Sequence, residues 1–211
     1  MKILAIIGSG HLGQQLAHYA IADNHYAKVV FFDDVSTEKY SCGYEILGTS
    51  AAIEQCFSEN KFDEILIGIG YKHLAVRKAL FDKFSDKIPF GTIIHSTVWV
   101  DPTAQIGQGC VVYPGGLIDA NVILSENTIL NIGCTIAHDS FIGKHCFLSP
   151  RVAVAGFVKT GNQCVLGINA TVIDNIFIAD QVQIGGGAVV IKSIETAGLY
   201  VGNPARLVRE I

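Results

Sequence analysis

Residues 129–148, ILNIGCTIAHDSFIGKHCFL, decide the fold, because large aliphatic and small side chains recur there every six positions. Leu130, Ile136, Ile142 and Leu148 are the aliphatic members, and the residue four places after each of the first three is a cysteine or a serine. A period of six matches neither a helix nor a simple alternating strand. It is typical of a parallel β-helix, in which stacked coils bury a continuous column of side chains.

The same period runs through most of the C-terminal half of the chain. Steps of six from Val100 to Val190 give sixteen positions, of which fifteen are aliphatic and one is Thr160. Three such hexads make one triangular coil, so the pattern predicts roughly five coils. The small positions of the repeat hold four of the six cysteines, which we expect to be buried free thiols because no CxxC pair occurs: Cys110, Cys134, Cys146 and Cys164.

The first 93 residues follow a different pattern, in which strand-like and helix-like runs alternate. KILAIIG, VVFFDD and EILIGIG are typical of buried parallel strands, whereas residues 12–22 and RKALFDKF are typical of helices. The sequence therefore predicts a small Rossmann-like α/β domain over residues 1–93 and a parallel β-helix with a C-terminal extension over residues 94–211.

Composition and charge restrict the possible partners. The formal net charge is −4 and no basic run suggests nucleic-acid binding. No apolar stretch approaches the roughly 20 residues of a membrane helix, and the apolar run in MKILAIIGSG is too short for a signal peptide. We therefore expect a cytoplasmic protein that binds neither nucleic acid nor membrane.

A glycine-rich turn follows the first predicted strand. Residues 8–13 read GSGHLG, a GxGxxG pattern between strand and helix, and Asp33 ends the next strand. Such a turn brings backbone N–H groups close to a diphosphate, and a carboxylate there accepts hydrogen bonds from hydroxyl groups. The alternatives are a tight turn without a ligand, or a dehydrogenase. The α/β part is only half the size of a full dinucleotide domain, which disfavours the dehydrogenase.

His138 and Asp139 fall outside both inward positions of the repeat, so packing does not explain them. A histidine titrates near neutral pH and suits a general base, and an adjacent carboxylate can orient its ring. Neighbouring strand residues point to opposite faces, so Asp139 can assist only if the coil bends there. The alternative is an exposed pair at a coil corner with no role.

Several segments together carry a resemblance to a known family: GSGHLG, FFDD, IGIGYKHLAVR, IIHSTVWVDPTAQIG, IAHDSFIG and the closing VGNPA. The chain resembles the bacterial nucleotide-sugar acetyltransferases with a left-handed hexapeptide-repeat β-helix, such as the bacillosamine-pathway and perosamine N-acetyltransferases and the sialic-acid O-acetyltransferases. The resemblance implies a homotrimer, with a nucleotide-linked amino sugar in the front domain and acetyl-CoA in a groove between neighbouring β-helices. It implies no metal.

The resemblance also implies roles for particular residues. His138 would be the general base with Asp139 as its partner, and the Gly156 amide, one coil later beside His138, would bind the thioester carbonyl. Nucleotide-sugar contacts fall on Gly10, His11, Gly13, Asp33, Asp34, Gly70 and Tyr71. Acetyl-CoA contacts fall on Gly156, Gly167, Ile168, Asn169, Gly185, Gly186, Gly202 and Pro204, although the glycines among them are equally natural as coil corners.

One position departs from the family pattern. Many members carry a second histidine nine residues after the base, but here that position is Phe147, and we leave the nearby His145 out of the catalytic set. The sequence favours N-acetylation of a UDP-, dTDP- or GDP-linked deoxyamino sugar. Three alternatives stay open: O-acetylation of a sugar such as sialic acid, a zinc enzyme of the γ-carbonic-anhydrase kind, and a non-catalytic nucleotide-sensing trimer.

Overall fold

The computed structural model describes residues 2–210. The chain divides into two compact units, one ending at Ile93 and the other beginning at Ile94. Across residues 2–210, no helix has the length and apolar character that crossing a bilayer demands.

The N-terminal unit is built on three parallel strands in the order β2-β1-β5, with β1 buried in the centre. Its strands are β1 (Ile3–Ile7), β2 (Lys28–Phe32), β3 (Tyr40–Ser41), β4 (Tyr44–Glu45) and β5 (Glu64–Ile67). Its helices are α1 (His11–Ala22), α2 (Ile53–Ser58) and α3 (Leu74–Phe84), with 3₁₀ turns at Ser50–Ala52 and Tyr71–His73. The strands and helices expected from the sequence are present, and the α/β prediction is confirmed.

The C-terminal unit is a left-handed parallel β-helix of two-residue strands spaced six residues apart. They are β6 (Ile93–Ile94), β7 (Trp99–Val100), β8 (Gln105–Ile106), β9 (Val111–Val112), β10 (Leu117–Ile118), β11 (Ile123–Leu124), β12 (Ile129–Leu130), β13 (Thr135–Ile136), β14 (Phe141–Ile142), β15 (Phe147–Leu148), β16 (Ala153–Val154), β17 (Lys159–Thr160), β18 (Val165–Leu166), β19 (Thr171–Val172), β20 (Phe177–Ile178), β21 (Gln183–Ile184) and β22 (Val189–Val190). Strands β23 (Gly198–Val201) and β24 (Arg206–Glu210) form a closing antiparallel pair.

Three sheets form the faces of the β-helix. The first face runs from β6 through β9, β12, β15, β18 and β21 to β23 and β24, the second from β7 to β22, and the third from β8 to β20. The second face has six strands, so the β-helix makes about six turns, one more than the sequence count of roughly five. Both ends of the aliphatic column, Val100 and Val190, fall on this face, which accounts for the extra turn.

The repeat positions fill the core of the β-helix as the sequence predicts. From Val112 to Val190 the residues of the aliphatic column are buried, and Cys110, Cys134, Cys146 and Cys164 are buried free thiols. Burial raises the pKa of the Cys134 thiol to about 11, so this side chain stays protonated and behaves as a small apolar group.

Each corner of the β-helix contains one residue in the left-handed backbone region. These residues recur every six positions from Gly109 to Gly187, with φ between 53° and 75°. Glycine, asparagine, aspartate and histidine are enriched in this conformation, yet the series also includes Arg151, Phe157 and Gln163. The regular corner backbone sharply turns the chain and points consecutive side chains outward.

Thr160 is the polar exception in the aliphatic column. Its hydroxyl accepts a hydrogen bond that a backbone carbonyl accepts elsewhere on this face. On the third face, the residue after each aliphatic position normally donates its N–H to a carbonyl one coil later, as Ser125 does to Ile142 at 2.9 Å. At Gly143 the N–H instead donates to the Thr160 hydroxyl at 3.0 Å, and the Thr160 side chain is buried. The hydroxyl therefore satisfies a buried donor that would otherwise lack an acceptor.

We expect the substitution Thr160→Val to lower the free energy of unfolding by about 1–3 kcal/mol, because it removes the acceptor of a buried N–H at nearly constant volume. Urea denaturation followed by circular dichroism measures the change. Thr171→Val is the matched control, since Thr171 lies on the outward side of β19, and we expect it to alter stability by less than about 0.5 kcal/mol. Equal effects of the two substitutions would contradict this role of the hydroxyl.

Candidate functional site

His138 and Asp139 lie at the corner that joins β13 on the second face to β14 on the third. The His138 Nδ1 and Asp139 Oδ2 atoms are 2.9 Å apart. Asp139 adopts φ 58°, so the coil bends between the two residues and brings both side chains to the same outer edge. Their side chains are 49% and 36% exposed, which leaves the pair open to a ligand.

The Asp139 carboxylate has two partners. Its Oδ2 faces His138, and its Oδ1 accepts a hydrogen bond of 3.0 Å from the Asn121 side-chain amide. The hydrogen bond with His138, followed by that from Asn121, lowers the pKa of Asp139. An ionised Asp139 favours the tautomer with the proton on His138 Nδ1, which leaves Nε2 as a free acceptor.

Gly156 and Phe157, one coil after the pair, surround the His138 ring. A Cβ atom at Gly156 would lie 2.8 Å from His138 Cε1 and 2.9 Å from Nε2. The Phe157 ring meets the imidazole edge to face, with centroids 5.2 Å apart. Within residues 2–210 the Gly156 N–H has no hydrogen-bond partner. The glycine thus provides both the space for the imidazole and an available donor beside it.

Asn121 and Phe157 are site residues that the sequence analysis missed. Each occupies the corner position of Asp139, eighteen residues before or after it. The same eighteen-residue interval predicted that Gly156 stacks beside His138, and applied to Asp139 it would have identified both.

His145 and Phe147 do not supply a second exposed histidine at this corner. His145 lies at the corner between the third and first faces, is 3% exposed, and its Nδ1 is 3.0 Å from the Asn127 amide nitrogen. Phe147 is 6% exposed, on β15 of the first face. His138 is therefore the exposed histidine of its corner.

Most of the residues predicted to bind acetyl-CoA lie at a different corner, between the first and second faces. Residues 167–169 and 185–187 stack there, with Ile168 52% exposed, and Gly202 and Pro204 follow β23. A Cβ at Gly167 would lie 2.5 Å from the Gly186 nitrogen, and one at Gly185 would lie 2.8 Å from Val201 Cγ1. Close stacking of the coils therefore already requires these two glycines.

The N-terminal unit contains a pocket of about 540 Å³ at the carboxyl ends of its strands. Of the predicted nucleotide-sugar residues, Gly10, Asp33 and Asp34 line it, whereas His11, Gly13, Gly70 and Tyr71 do not. The remaining lining residues are Ile7, Gly8, Ser9, Val35, Ser36, Ile69, His73 and Val76. His73 and Val76 belong to the IGIGYKHLAVR segment, which the sequence analysis singled out for Gly70 and Tyr71 instead.

Asp33 holds the glycine-rich turn in place. Its Oδ2 accepts hydrogen bonds of 2.7 Å from the N–H and the hydroxyl of Ser9, and its Oδ1 accepts from the backbone of Val35 and Ser36. Burial alone would raise the pKa of Asp33, but these hydrogen bonds outweigh it and lower the pKa to about 2. Asp34 differs, because its Oδ1 accepts from Ser50 N–H at 2.7 Å while Oδ2 has no partner within residues 2–210.

The glycines of this turn have separate roles. A Cβ at Gly13 would lie 1.9 Å from the Gly8 carbonyl oxygen, so Gly13 is buried where the turn and α1 touch. Gly13 thus has a packing role at this turn, and its contact with a diphosphate stays a prediction. A Cβ at Gly10 or at Gly70 would meet nothing within 4 Å, so the backbone there is open to an approaching group.

Both units of the chain are similar to known proteins. Residues 3–84 match the family model of the PglD N-terminal domain. The acetyltransferase domain of PglB from Neisseria gonorrhoeae is 27% identical with a TM-score of 0.92, over 99% of this chain and 100% of that one. It is also known in complex with acetyl coenzyme A, with a TM-score of 0.88.

A second solved structure, a mutant of perosamine N-acetyltransferase from Caulobacter crescentus in complex with CoA and GDP-perosamine, is 25% identical. Its TM-score is 0.91, over 98% of this chain and 97% of that one. Among curated proteins, UDP-3-O-acylglucosamine N-acyltransferase from Delftia acidovorans is 30% identical over 105 residues, 50% of this chain and 31% of the relative. The chain spans about a third of the length of the curated relatives it matches.

The chain thus matches the PglD N-terminal domain over residues 3–84 and is similar over nearly its whole length to two solved acetyltransferase structures, with a hexapeptide-repeat β-helix in its C-terminal unit. Its resemblance to the bacterial nucleotide-sugar acetyltransferases with a left-handed β-helix is confirmed.

Proposed function

We propose that this protein transfers the acetyl group of acetyl-CoA to the amino group of a nucleotide-linked deoxyamino sugar. The observation that carries the proposal is the corner where an oriented imidazole, a carboxylate and an unpaired backbone N–H meet, at His138, Asp139 and Gly156. The two solved relatives, which bind acetyl coenzyme A, or CoA with GDP-perosamine, support the choice of donor and acceptor.

The reaction needs no acyl-enzyme. The unprotonated sugar amine attacks the thioester carbonyl, His138 Nε2 accepts the proton that the nitrogen loses, and Asp139 stabilises the imidazolium. The Gly156 N–H donates a hydrogen bond to the oxyanion of the tetrahedral intermediate. When the C–S bond breaks, the electron pair leaves with sulfur, and the proton on His138 is available to the departing thiolate.

The nucleotide would occupy the pocket at the carboxyl ends of β1 and β2. Backbone at Gly10 and Gly70 is open to a diphosphate, and the free Asp34 Oδ2 can accept a hydrogen bond from a ribose hydroxyl or a base N–H. Asp33 contributes through the shape of the turn, because its oxygens already accept four hydrogen bonds. His11 and Tyr71, both exposed at the starts of neighbouring helical segments, would contact the outer part of the substrate.

Acetyl-CoA would lie between two copies of the chain. The corner of residues 167–169 and 185–187 and the corner of His138 lie at opposite edges of the second face, about 20 Å apart for six extended residues. When β-helices pack side by side, the corner of residues 167–169 and 185–187 in one copy lies next to the His138 corner of another copy. We therefore propose a homotrimer with acetyl-CoA in the grooves between copies.

The third face has the apolar surface that such packing needs. Ile123, Phe141 and Phe177 point outward from β11, β14 and β20 and are 38%, 37% and 43% exposed. Lys159 lies between Phe141 and Phe177 in the same outward row. The large exposed apolar side chains on either side of it favour burial against another protein surface.

Incubation with acetyl-CoA and a panel of UDP-, dTDP- and GDP-linked amino and hydroxy sugars should release thiol with at least one amino sugar. His138→Ala should lower kcat by about 10²–10⁴-fold, because the proton then has no positioned acceptor. The corresponding amino sugars without nucleotide should react poorly.

The substrate panel, together with elemental analysis and a binding measurement, also separates the alternative functions. A substrate with only hydroxyl groups would indicate O-acetylation, and stoichiometric zinc by elemental analysis would indicate a metal enzyme. Binding of nucleotide sugar without thiol release would indicate a sensor. Normal turnover by His138→Ala would contradict the mechanism.

Gly156→Ala should fold but lose about 10²-fold or more in kcat, because the new Cβ would lie within 3 Å of the His138 ring and displace it. Thiol-release kinetics together with the melting temperature test this. Ala155→Gly, a change of one methyl group at the preceding residue, is the matched control and should keep most of the activity. Unaltered kinetics of Gly156→Ala would exclude the close stacking of imidazole and backbone.

Sedimentation equilibrium should give a mass about three times that of the 22.6-kDa chain. Phe177→Asp should weaken association, because it places a charge in the proposed apolar interface. Val35→Asp, at a 90% exposed apolar residue of the N-terminal unit, should leave the mass unchanged. A fully active monomer would refute the intersubunit site.

A further inference from the structure

We propose that Asn121 is a positioning residue, which fixes the Asp139 carboxylate so that it orients His138 as the general base. The inference rests on the proposed function, since it assigns His138 its catalytic task. No motif in the sequence pointed to Asn121, and its role comes from the stacking of coils.

A continuous set of hydrogen bonds links Asn121 to the imidazole. The Thr103 hydroxyl accepts the Asn121 backbone N–H at 2.8 Å, the Asn121 amide donates to Asp139 Oδ1 at 3.0 Å, and Asp139 Oδ2 lies 2.9 Å from His138 Nδ1. Thr103, Asn121 and Asp139 occupy the same corner position on three consecutive coils. The asparagine thus ties the exposed carboxylate to the rigid β-helix.

The position of the amide fixes the orientation of the Asp139 carboxylate toward His138. A carboxylate on a short side chain can rotate about χ2, and an exposed one gains little from a single partner. Because Asn121 holds Oδ1, Oδ2 stays directed at His138 Nδ1. The imidazole is further held by Phe157 edge to face and by the Gly156 backbone, so only its Nε2 remains free to react.

Few other charged groups lie near the imidazole. Asp174 occupies the His138 position two coils later, beyond Gly156, and its carboxylate accepts from the Asn175 amide at 2.7 Å. Asp119, on the preceding coil, accepts from the Ala120 N–H at 2.8 Å. Among the groups in contact with His138, Asp139 is therefore the charged one.

The test uses three variants of the full-length protein. Asn121→Ala removes the donor, and Asn121→Asp keeps the shape but places a second carboxylate beside Asp139. Asn175→Ala is the matched control, because Asn175 has the same φ of 58° at the same corner but bonds to Asp174 instead. Both alanine variants thus carry the same backbone penalty.

We expect Asn121→Ala to lower kcat about 10-fold with little change in KM, as loss of a group that orients a catalytic side chain typically does. The acid limb of the pH–rate profile should move to higher pH, because the Asp139 charge is then less neutralised and holds the imidazolium more strongly. Asn121→Asp should move the limb further, by about one pH unit. Asn175→Ala should change neither kcat nor the limb.

NMR titration of the His138 ring protons provides a readout that needs no turnover. The ring pKa should rise in the order wild type, Asn121→Ala, Asn121→Asp. An order that differs, or an Asn121→Ala variant identical to Asn175→Ala in both kinetics and titration, would overturn the proposal. If no sugar is acetylated but the NMR order holds, the proposed function fails while the coupling of Asn121 to His138 stands.

Discussion

From Trp99 to Val190 each coil of the β-helix stacks on the next with a register of eighteen residues, held by backbone hydrogen bonds between the coils. This register places every side chain directly above the one eighteen residues earlier. The aliphatic column, the buried cysteines and the hydroxyl of Thr160 all follow from it. So does the site, because Asn121, Asp139 and Phe157 form one vertical row, and His138 and Gly156 form the row beside it.

The corner backbone explains how two consecutive residues can act together. In a flat strand, His138 and Asp139 would point to opposite faces. The left-handed conformation at Asp139, repeated at every corner from residue 109 to 187, turns the chain instead. The backbone turn that closes each coil thus provides the geometry of the proposed catalytic dyad, and aspartate is one of the few residues that tolerates this conformation well.

The fold was predictable because its determinants are periodic, and a period of six over sixteen hexads leaves few alternatives. The His138–Asp139 pair could be singled out because both residues lie outside the inward positions of the repeat, so packing does not explain them. The eighteen-residue interval places Asn121 beside Asp139, but its hydrogen bond was not predictable, since asparagine is an ordinary corner residue and only the contact with Asp139 distinguishes Asn121 from Asn175. In the N-terminal unit, the glycine-rich motif predicted the turn but not the different roles of Asp33 and Asp34. Those roles depend on which carboxylate oxygens already accept hydrogen bonds from neighbouring residues.

The glycines show most directly why the sequence alone does not distinguish a packing role from a binding role. Gly13, Gly167 and Gly185 lie where a Cβ atom would overlap neighbouring backbone or side-chain atoms within 3 Å, so the fold alone demands them. Gly10 and Gly70 face open space, so nothing in the fold requires a glycine there. Gly156 is distinct from both groups, since the atoms that exclude its side chain belong to the His138 imidazole. Packing then requires glycine at position 156 only because the His138 imidazole is present.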